Sequence, residues 1–169
     1  GAQMAMLPFV HLLSPIPTNI FGVSGYSGAG TNPSDKNDPD VLRDNLIPYA
    51  LQGHMHEREI GHQLRQPVRF MPHVAPFFQG IQLTVSMTLS DPLRSSEEAF
   101  EMAKNRFKKD PLIKVVEGEP PRVRDNSGRH HVAVGGFTLD NSKVKGNPPS
   151  QEEFCSIFFF QGQAGCLCN

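Results

Sequence analysis

Tryptophan is absent from the 169 residues and tyrosine occurs only twice, so the aromatic part of any core rests on the 12 phenylalanines. Cysteine is scarce and confined: Cys155, Cys166 and Cys168 all fall in the last fifteen positions. An odd number of thiols crowded at one end makes no disulfide framework and points to a reducing compartment. Nor does the trio read as a zinc site, because Cys166-x-Cys168 lacks a second ligand pair. Excess charge of either sign is missing too, with 16 Lys+Arg against 17 Asp+Glu. That balance removes the electrostatic ground for a nucleic-acid or membrane-surface partner. No apolar run approaches the roughly 20 residues of a bilayer crossing, and the start lacks the basic, apolar, small-residue order of a signal peptide.

What remains is a length suited to one domain, 1–169, with a core of its own. "GAQMAMLPFVHLL" carries Met4, Leu7 and Val10 at helical spacing but has no initiating Met and no residue before it to cap a helix, as though cut from something longer. A proline-rich turn leads to "IFGV", read as a buried strand ending in the glycine- and hydroxyl-rich stretch Gly22–Ser34. "TNPSDKNDPD" reads as a polar connection, "VLRDNLIPYAL" as a helical turn followed by a loop, and "HMHEREIGHQLR" as a helix with His54 and His56 at or just before its N-terminus.

"PVRFMPHVAP" is expected as a strand of about six residues. "GIQLTVSMTLS" alternates without error, with Ile81, Leu83, Val85, Met87 and Leu89 on one face and Gln82, Thr84, Ser86 and Thr88 on the other. Ser95 and Glu98 fit a capping box opening a helix whose apolar stripe is Ala99, Phe100, Ala103 and Phe107. "LIKVV" and "HVAVGGFTL" are strands on either side of the "EGEPPRVRDNSG" loop. "DNSKVKGNPPSQEE" is then a solvated connection, "FCSIFFF" a last strand and "QGQAGCLCN" a helix start. This order implies an α+β fold with a mixed, mainly antiparallel sheet and helices on one face. The polar face of the best strand is then either wetted or a subunit contact.

The chemistry concentrates in "HMHEREIGH". A metal reading fails on spacing: the His-Glu-x-x-His pattern started from His56 places Ile60 where the second histidine must stand, and His56 and His62 point to different helix faces. Acid–base work suits histidine, whose ordinary pKa lies near neutrality, with Glu59 as a hydrogen-bonding partner. A solvated helix that carries His and Glu without catalytic purpose has the same composition. The glycine stretch does not end in Gly-Lys-Ser/Thr and so is not a nucleotide P-loop.

Taken together, "SGYSGAG", "HMHEREI" and "RFMPHVAPFFQGIQLTV" resemble, in order and spacing, the catalytic domain of the N-acetyl-γ-glutamyl-phosphate reductase family, also called N-acetylglutamate-semialdehyde dehydrogenase. The family motifs are S-G-x-S-G-A-G, H-x-H-x-x-E-I and F-x-P-H/V followed by G-I-x-x-T. The form here is similar to the fungal mitochondrial branch, and the resemblance spans about Gly1 to Leu139.

The resemblance implies a fold like the C-terminal domain of glyceraldehyde-phosphate dehydrogenase and a subunit contact within a homo-oligomer. The reaction it implies passes from N-acetyl-γ-glutamyl phosphate to the semialdehyde through a cysteine thioester, with NADPH as reductant. His54 would be the acid–base residue, His56 the alternative or a substrate-positioning neighbour, and Glu59 an orienting partner. Ser24, Gly25, Ser27, Gly28 and Gly30 would form the floor of the substrate pocket. The family's Rossmann domain and its G-C-Y-x-T nucleophile segment are not in this sequence, so the chain alone is not expected to bind NADP or to turn over. Residues 154–169 depart from the family pattern, which continues with I-D-N-L. The fungal resemblance implies the mitochondrial matrix, and a bacterial source would imply the cytoplasm.

Overall fold

The computed structural model describes residues 1–140 throughout and the backbone of 153–161. In chain order the elements are α1 (Ala2–Met6), a 3₁₀ turn (Leu7–Phe9), β1 (Thr18–Gly25), a second 3₁₀ turn (Tyr26–Ala29), α2 (Pro39–Leu42), β2 (Ile47–Pro48) and α3 (Met55–Leu64). They continue with β3 (Val68–Ala75), β4 (Ile81–Leu89), α4 (Ser96–Phe107), β5 (Ile113–Val116), α5 (Val123–Asn126), β6 (Val132–Asp140) and β7 (Glu153–Gln161). The "DNSKVKGNPPSQEE" connection, apart from its first and last residues, and the helix start after Gln161 lie outside the described residues, as do Cys166 and Cys168.

The seven strands form one sheet in the order β2-β3-β1-β4-β7-β6-β5. Only β1/β3 and β5/β6 pair in parallel; β2/β3, β1/β4, β4/β7 and β6/β7 are antiparallel, as the element order implied. The alternation of β4 decides which face is the core: Leu83, Val85, Met87 and Leu89 are buried, whereas Gln82, Thr84 and Ser86 are half-exposed on the other face. Ile20, Leu83, Val85, Met87, Leu89 and Val134 from the sheet meet Ala5, Met6 and Phe9 from the opening segment, Ile60 from α3, and Ala99 and Ala103 from α4. Fully burying each of the larger of these side chains stabilises the fold by roughly 1.5–3 kcal/mol.

Individual elements show where local rules meet tertiary ones. The opening helix is shorter than its apolar spacing suggested: Pro8 has no N–H to donate, and the α-helix gives way to a 3₁₀ turn over Leu7–Phe9. β3 runs two residues beyond expectation and contains Pro72. The Pro72 carbonyl accepts from the Tyr49 N–H at 3.1 Å, on the side where β2 has ended after two residues, so the missing N–H falls where the ladder stops.

At α4 the Ser95 hydroxyl accepts from the Glu98 N–H (3.3 Å), as a capping box requires. The Glu98 carboxylate reaches one residue further back than the motif demands, to the Arg94 N–H (2.7 Å). In β6 the register against β7 shifts between Gly135 and Thr138, with Gly136 at φ +68°; this bulge lets both Val134 and Phe137 enter the core. The short α5, unforeseen in a loop sequence, lies with Pro120, Pro121 and Arg122 over Lys114, Val116 and Ala133, on the opposite face at the far end of the sheet.

Candidate functional site

The glycine stretch is two structures rather than one. Gly22 to Gly25 complete β1, and the chain then turns through the 3₁₀ segment Tyr26–Ala29 to Gly30, whose φ of +88° only glycine adopts readily. At Gly25 the requirement is space. Its own dihedrals are ordinary, but a Cβ there would stand 2.7 Å from the carbonyl oxygens of both Phe77 and Phe78. The turn is pinned to that loop by Gly25 N–H to Gly80 O (2.8 Å), Tyr26 N–H to Phe77 O (3.1 Å) and Ser27 N–H to Phe78 O (2.9 Å). Gly28 has nothing within 4 Å of a notional Cβ and stands open.

His54 is the N-cap of α3, an unusual residue in that place, and its Nδ1 accepts the His56 N–H at 3.2 Å. A neutral ring that accepts at Nδ1 carries its proton on Nε2. Burial first, then the neighbouring His56 and, more weakly, Lys36 press the His54 pKa below its ordinary value, against the opposing pull of Glu57 and Glu59. The positive end of the helix and the capping bond act in the same direction. The lowered pKa favours the neutral imidazole, and the acceptor role of Nδ1 then leaves the donor N–H at Nε2.

Aromatic rings flank that partly exposed imidazole. Phe70 of β3 lies 5.1 Å away, Tyr49 6.0 Å and His56 4.8 Å, measured between ring centroids. Glu57 ties helix to strand, its carboxylate accepting the Phe70 N–H at 2.9 Å. Glu59 orients His56 rather than His54, through Oε2 at 2.6 Å from His56 Nδ1. Tyr49 stands between the histidine and the glycine turn: burial raises its phenol pKa against a smaller lowering from nearby Ser24, whose hydroxyl donates to the His73 carbonyl at 3.4 Å. Lys36 Nζ stands 4.9 Å above the Tyr49 ring.

Of the residues singled out in the sequence, His54, His56, Glu59 and Ser24 thus gather in one region, with Ser24 meeting His54 through Tyr49. Gly25 acts beneath them as a close-packing point. Ser27 and Gly30 instead line a shallow depression of about 620 Å³, walled by Tyr26 and by residues of the 31–39 loop, and neither histidine borders it. The single pocket floor expected from the glycine stretch is thereby divided. Tyr49, Lys36 and Phe70 were not anticipated; an aromatic directly after the Pro48 that ends β2 was the only local signal. Among the described residues no three His, Cys, Asp or Glu side chains are grouped to hold a metal ion.

The profile of the family described as "Semialdehyde dehydrogenase, dimerisation domain" matches residues 1–145. The chain is 51% identical over 142 residues to "Protein arg11, mitochondrial" of Schizosaccharomyces pombe, covering 84% of this chain and 16% of that protein. It is 53% identical over 137 residues to an "N-acetyl-gamma-glutamyl-phosphate reductase" of Xanthomonas oryzae, covering 81% of this chain and 42% of that one. The chain thus spans less than half the length of these relatives. Among solved structures, aspartate semialdehyde dehydrogenase II from Vibrio cholerae superposes with a TM-score of 0.67 at 18% identity, covering 95% of this chain and 53% of that one, which shows the shared fold. On the profile match and the fold together, the chain belongs to the semialdehyde dehydrogenase dimerisation-domain family.

Proposed function

We propose that this chain is the substrate-holding and subunit-contact part of an N-acetyl-γ-glutamyl-phosphate reductase, which forms N-acetylglutamate semialdehyde in arginine biosynthesis. The observation that carries the reading is the His54 imidazole, which accepts the His56 N–H at Nδ1 and lies beside Tyr49 and Phe70, in a sequence about half identical to reductases of that name. A neutral imidazole N–H is suited to hydrogen-bond the oxygen of a reacting carbonyl and to give it a proton as charge develops there. His56, paired with Glu59, is the alternative proton carrier.

The described residues do not fit NADP. The glycine turn runs into a four-residue 3₁₀ segment, not into a helix whose N-terminus could receive a pyrophosphate. No hydride step is derived through these residues, and this chain alone is expected to be inactive. The mitochondrial matrix is the proposed compartment for a eukaryotic source and the cytoplasm for a bacterial one.

The open sheet face suits a second copy. Phe21 there is 39% exposed and stacks on His73 at 4.4 Å between centroids, and Thr84 lies beside it in register. Phe21→Glu is expected to shift the protein towards monomer in sedimentation.

The catalytic assay is phosphate-dependent reduction of NADP by the full-length protein that carries this chain, with the semialdehyde as substrate. His54→Gln is expected to lower turnover by roughly 10²–10⁴-fold, and His56→Gln by much less. Unchanged turnover in His54→Gln, or no reductase activity in the unaltered protein, overturns the reading.

A further inference from the structure

Among the described residues, Lys36 is a cation without an anion. Its side chain is half-buried, its ammonium rests over the Tyr49 ring, and none of the ion pairs among the described residues includes it. The neighbouring acids are engaged elsewhere or turned out: Asp38 caps α2 through the Asp40 and Val41 N–H groups, Asp40 pairs with Arg43 at 2.6 Å, and Asp35 is exposed.

The lysine is also held in place. Asn37 clamps its own loop, donating to the carbonyls of Gly30 (2.9 Å) and Asn32 (2.7 Å) and accepting from the Ser34 N–H (2.9 Å). A loop fixed by three such bonds carries its adjacent lysine to one spot. That spot overlooks Tyr49 and lies close enough to His54 to act on its charge.

We propose that Lys36 is the anion-holding, specificity-determining residue of the His54 site, engaging anionic oxygens of an acyl substrate's carboxylate or phosphate from its place on the Tyr49 ring. The proposal rests on the functional reading above and names the substrate group that reading leaves open. Several of its parts have a single physical sense. A half-buried cation on an aromatic face gains attraction without spending its charge on a carboxylate. A like charge beside His54 favours the neutral imidazole when the site is empty, and a bound anion relieves that pressure.

The test uses the full-length protein that carries this chain. Lys36→Met keeps an unbranched side chain and removes the charge that lies over Tyr49, and Lys36→Arg restores a cation. Loss of a charge-assisted contact predicts kcat/KM for the acyl substrate lower by about ten- to a hundredfold in Lys36→Met, chiefly through KM, with partial recovery in Lys36→Arg. Inhibition by inorganic phosphate and by N-acetylglutamate separates the two sources: the one whose inhibition weakens in Lys36→Met supplies the oxygens that Lys36 holds.

A readout independent of turnover is the His54 ring titration followed by NMR. Its midpoint is expected to rise in Lys36→Met, and phosphate or N-acetylglutamate should shift the Tyr49 and His54 signals of the unaltered protein only. Kinetics and inhibition unchanged within about twofold in Lys36→Met, with an unmoved His54 midpoint, overturn the proposal while leaving the reductase reading intact. A protein without reductase activity whose Tyr49 signals still respond to either anion through Lys36 overturns that reading and supports this one.

Discussion

Gly25→Ala tests whether the glycine turn is a packing requirement rather than a flexible connection. The added methyl would stand 2.7 Å from Phe77 O, 2.7 Å from Phe78 O and 2.8 Å from Gln79 N, all backbone atoms that cannot rotate away. Forcing a methyl into a filled space costs about 1–3 kcal/mol. Relief by backbone movement would lengthen some of the three hydrogen bonds that join Gly25, Tyr26 and Ser27 to the 77–80 loop, at about 1 kcal/mol each.

The expected loss is about 2–4 kcal/mol, a large share of an ordinary domain's 5–15 kcal/mol. Urea unfolding of the variant should show a lower midpoint at unchanged slope, and a melting temperature reduced by on the order of 10 °C. The control is Gly28→Ala three residues on, where a Cβ meets nothing within 4 Å and the effect should stay within about 0.5 kcal/mol of zero. Equal stability of the two variants would refute the reasoning, since both remove a glycine from the same turn and differ only in what surrounds it.

Three further outcomes follow from the same structure. Gln66→Leu should cost about 2–3 kcal/mol in urea unfolding, because the buried amide donates to the carbonyls of Ser14 (2.8 Å) and Ile16 (3.0 Å) and its loss leaves both without that donor. Thr18→Val should be neutral or stabilising by up to about 1 kcal/mol, since the Thr18 hydroxyl is fully buried without a hydrogen-bond partner and valine has nearly the same shape. His54 should titrate by NMR below the ordinary histidine value of 6.5, its pKa lowered by burial, His56 and Lys36. A lowered histidine pKa means that the unfolded chain binds the proton more readily, so the His54 contribution favours folding above 6.5 and is lost as pH falls through the folded pKa. The stability difference between the unaltered protein and His54→Gln should shift in that direction between pH 7.5 and 5.5, and a difference constant with pH would contradict it.

The parts of the fold legible in the sequence are those whose pattern is written within one element. The alternation of Ile81–Leu89 and the Ser95/Glu98 cap with its apolar stripe specify β4 and α4 locally, and both stand in the structure as read. β2 and α5 were invisible for the opposite reason. Two residues of strand, Ile47 and Pro48, exist only because β3 offers them an edge, and four residues of helix over Val123–Asn126 are too short to carry a period. β3 was underestimated because Pro72 looks like a stop, yet it stands where the β2 ladder ends and strand pairing requires no N–H from it.

The site divides along the same line. His54, His56 and Glu59 lie within six residues at the start of α3, so a linear motif captures them, and the cap geometry then explains why His54 Nδ1 accepts from the helix while His56 pairs with Glu59. Lys36 and Tyr49 reach the same spot from a loop closed by Asn37 and from the end of a two-residue strand, placements that depend on contacts among distant elements. The glycine stretch shows why composition misleads here: its serines and glycines look like one cradle, yet Ser24 ends a strand beside Tyr49 whereas Ser27 and Gly30 turn onto another surface. The direction in which each residue faces is set by where β1 stops, and that is decided by the backbone of Phe77–Gly80 crowding against Gly25. Gly25, packed against backbone that leaves no room for a Cβ, thus fixes how the stretch turns, and the packing test at Gly25 and the charge test at Lys36 probe one arrangement from opposite sides.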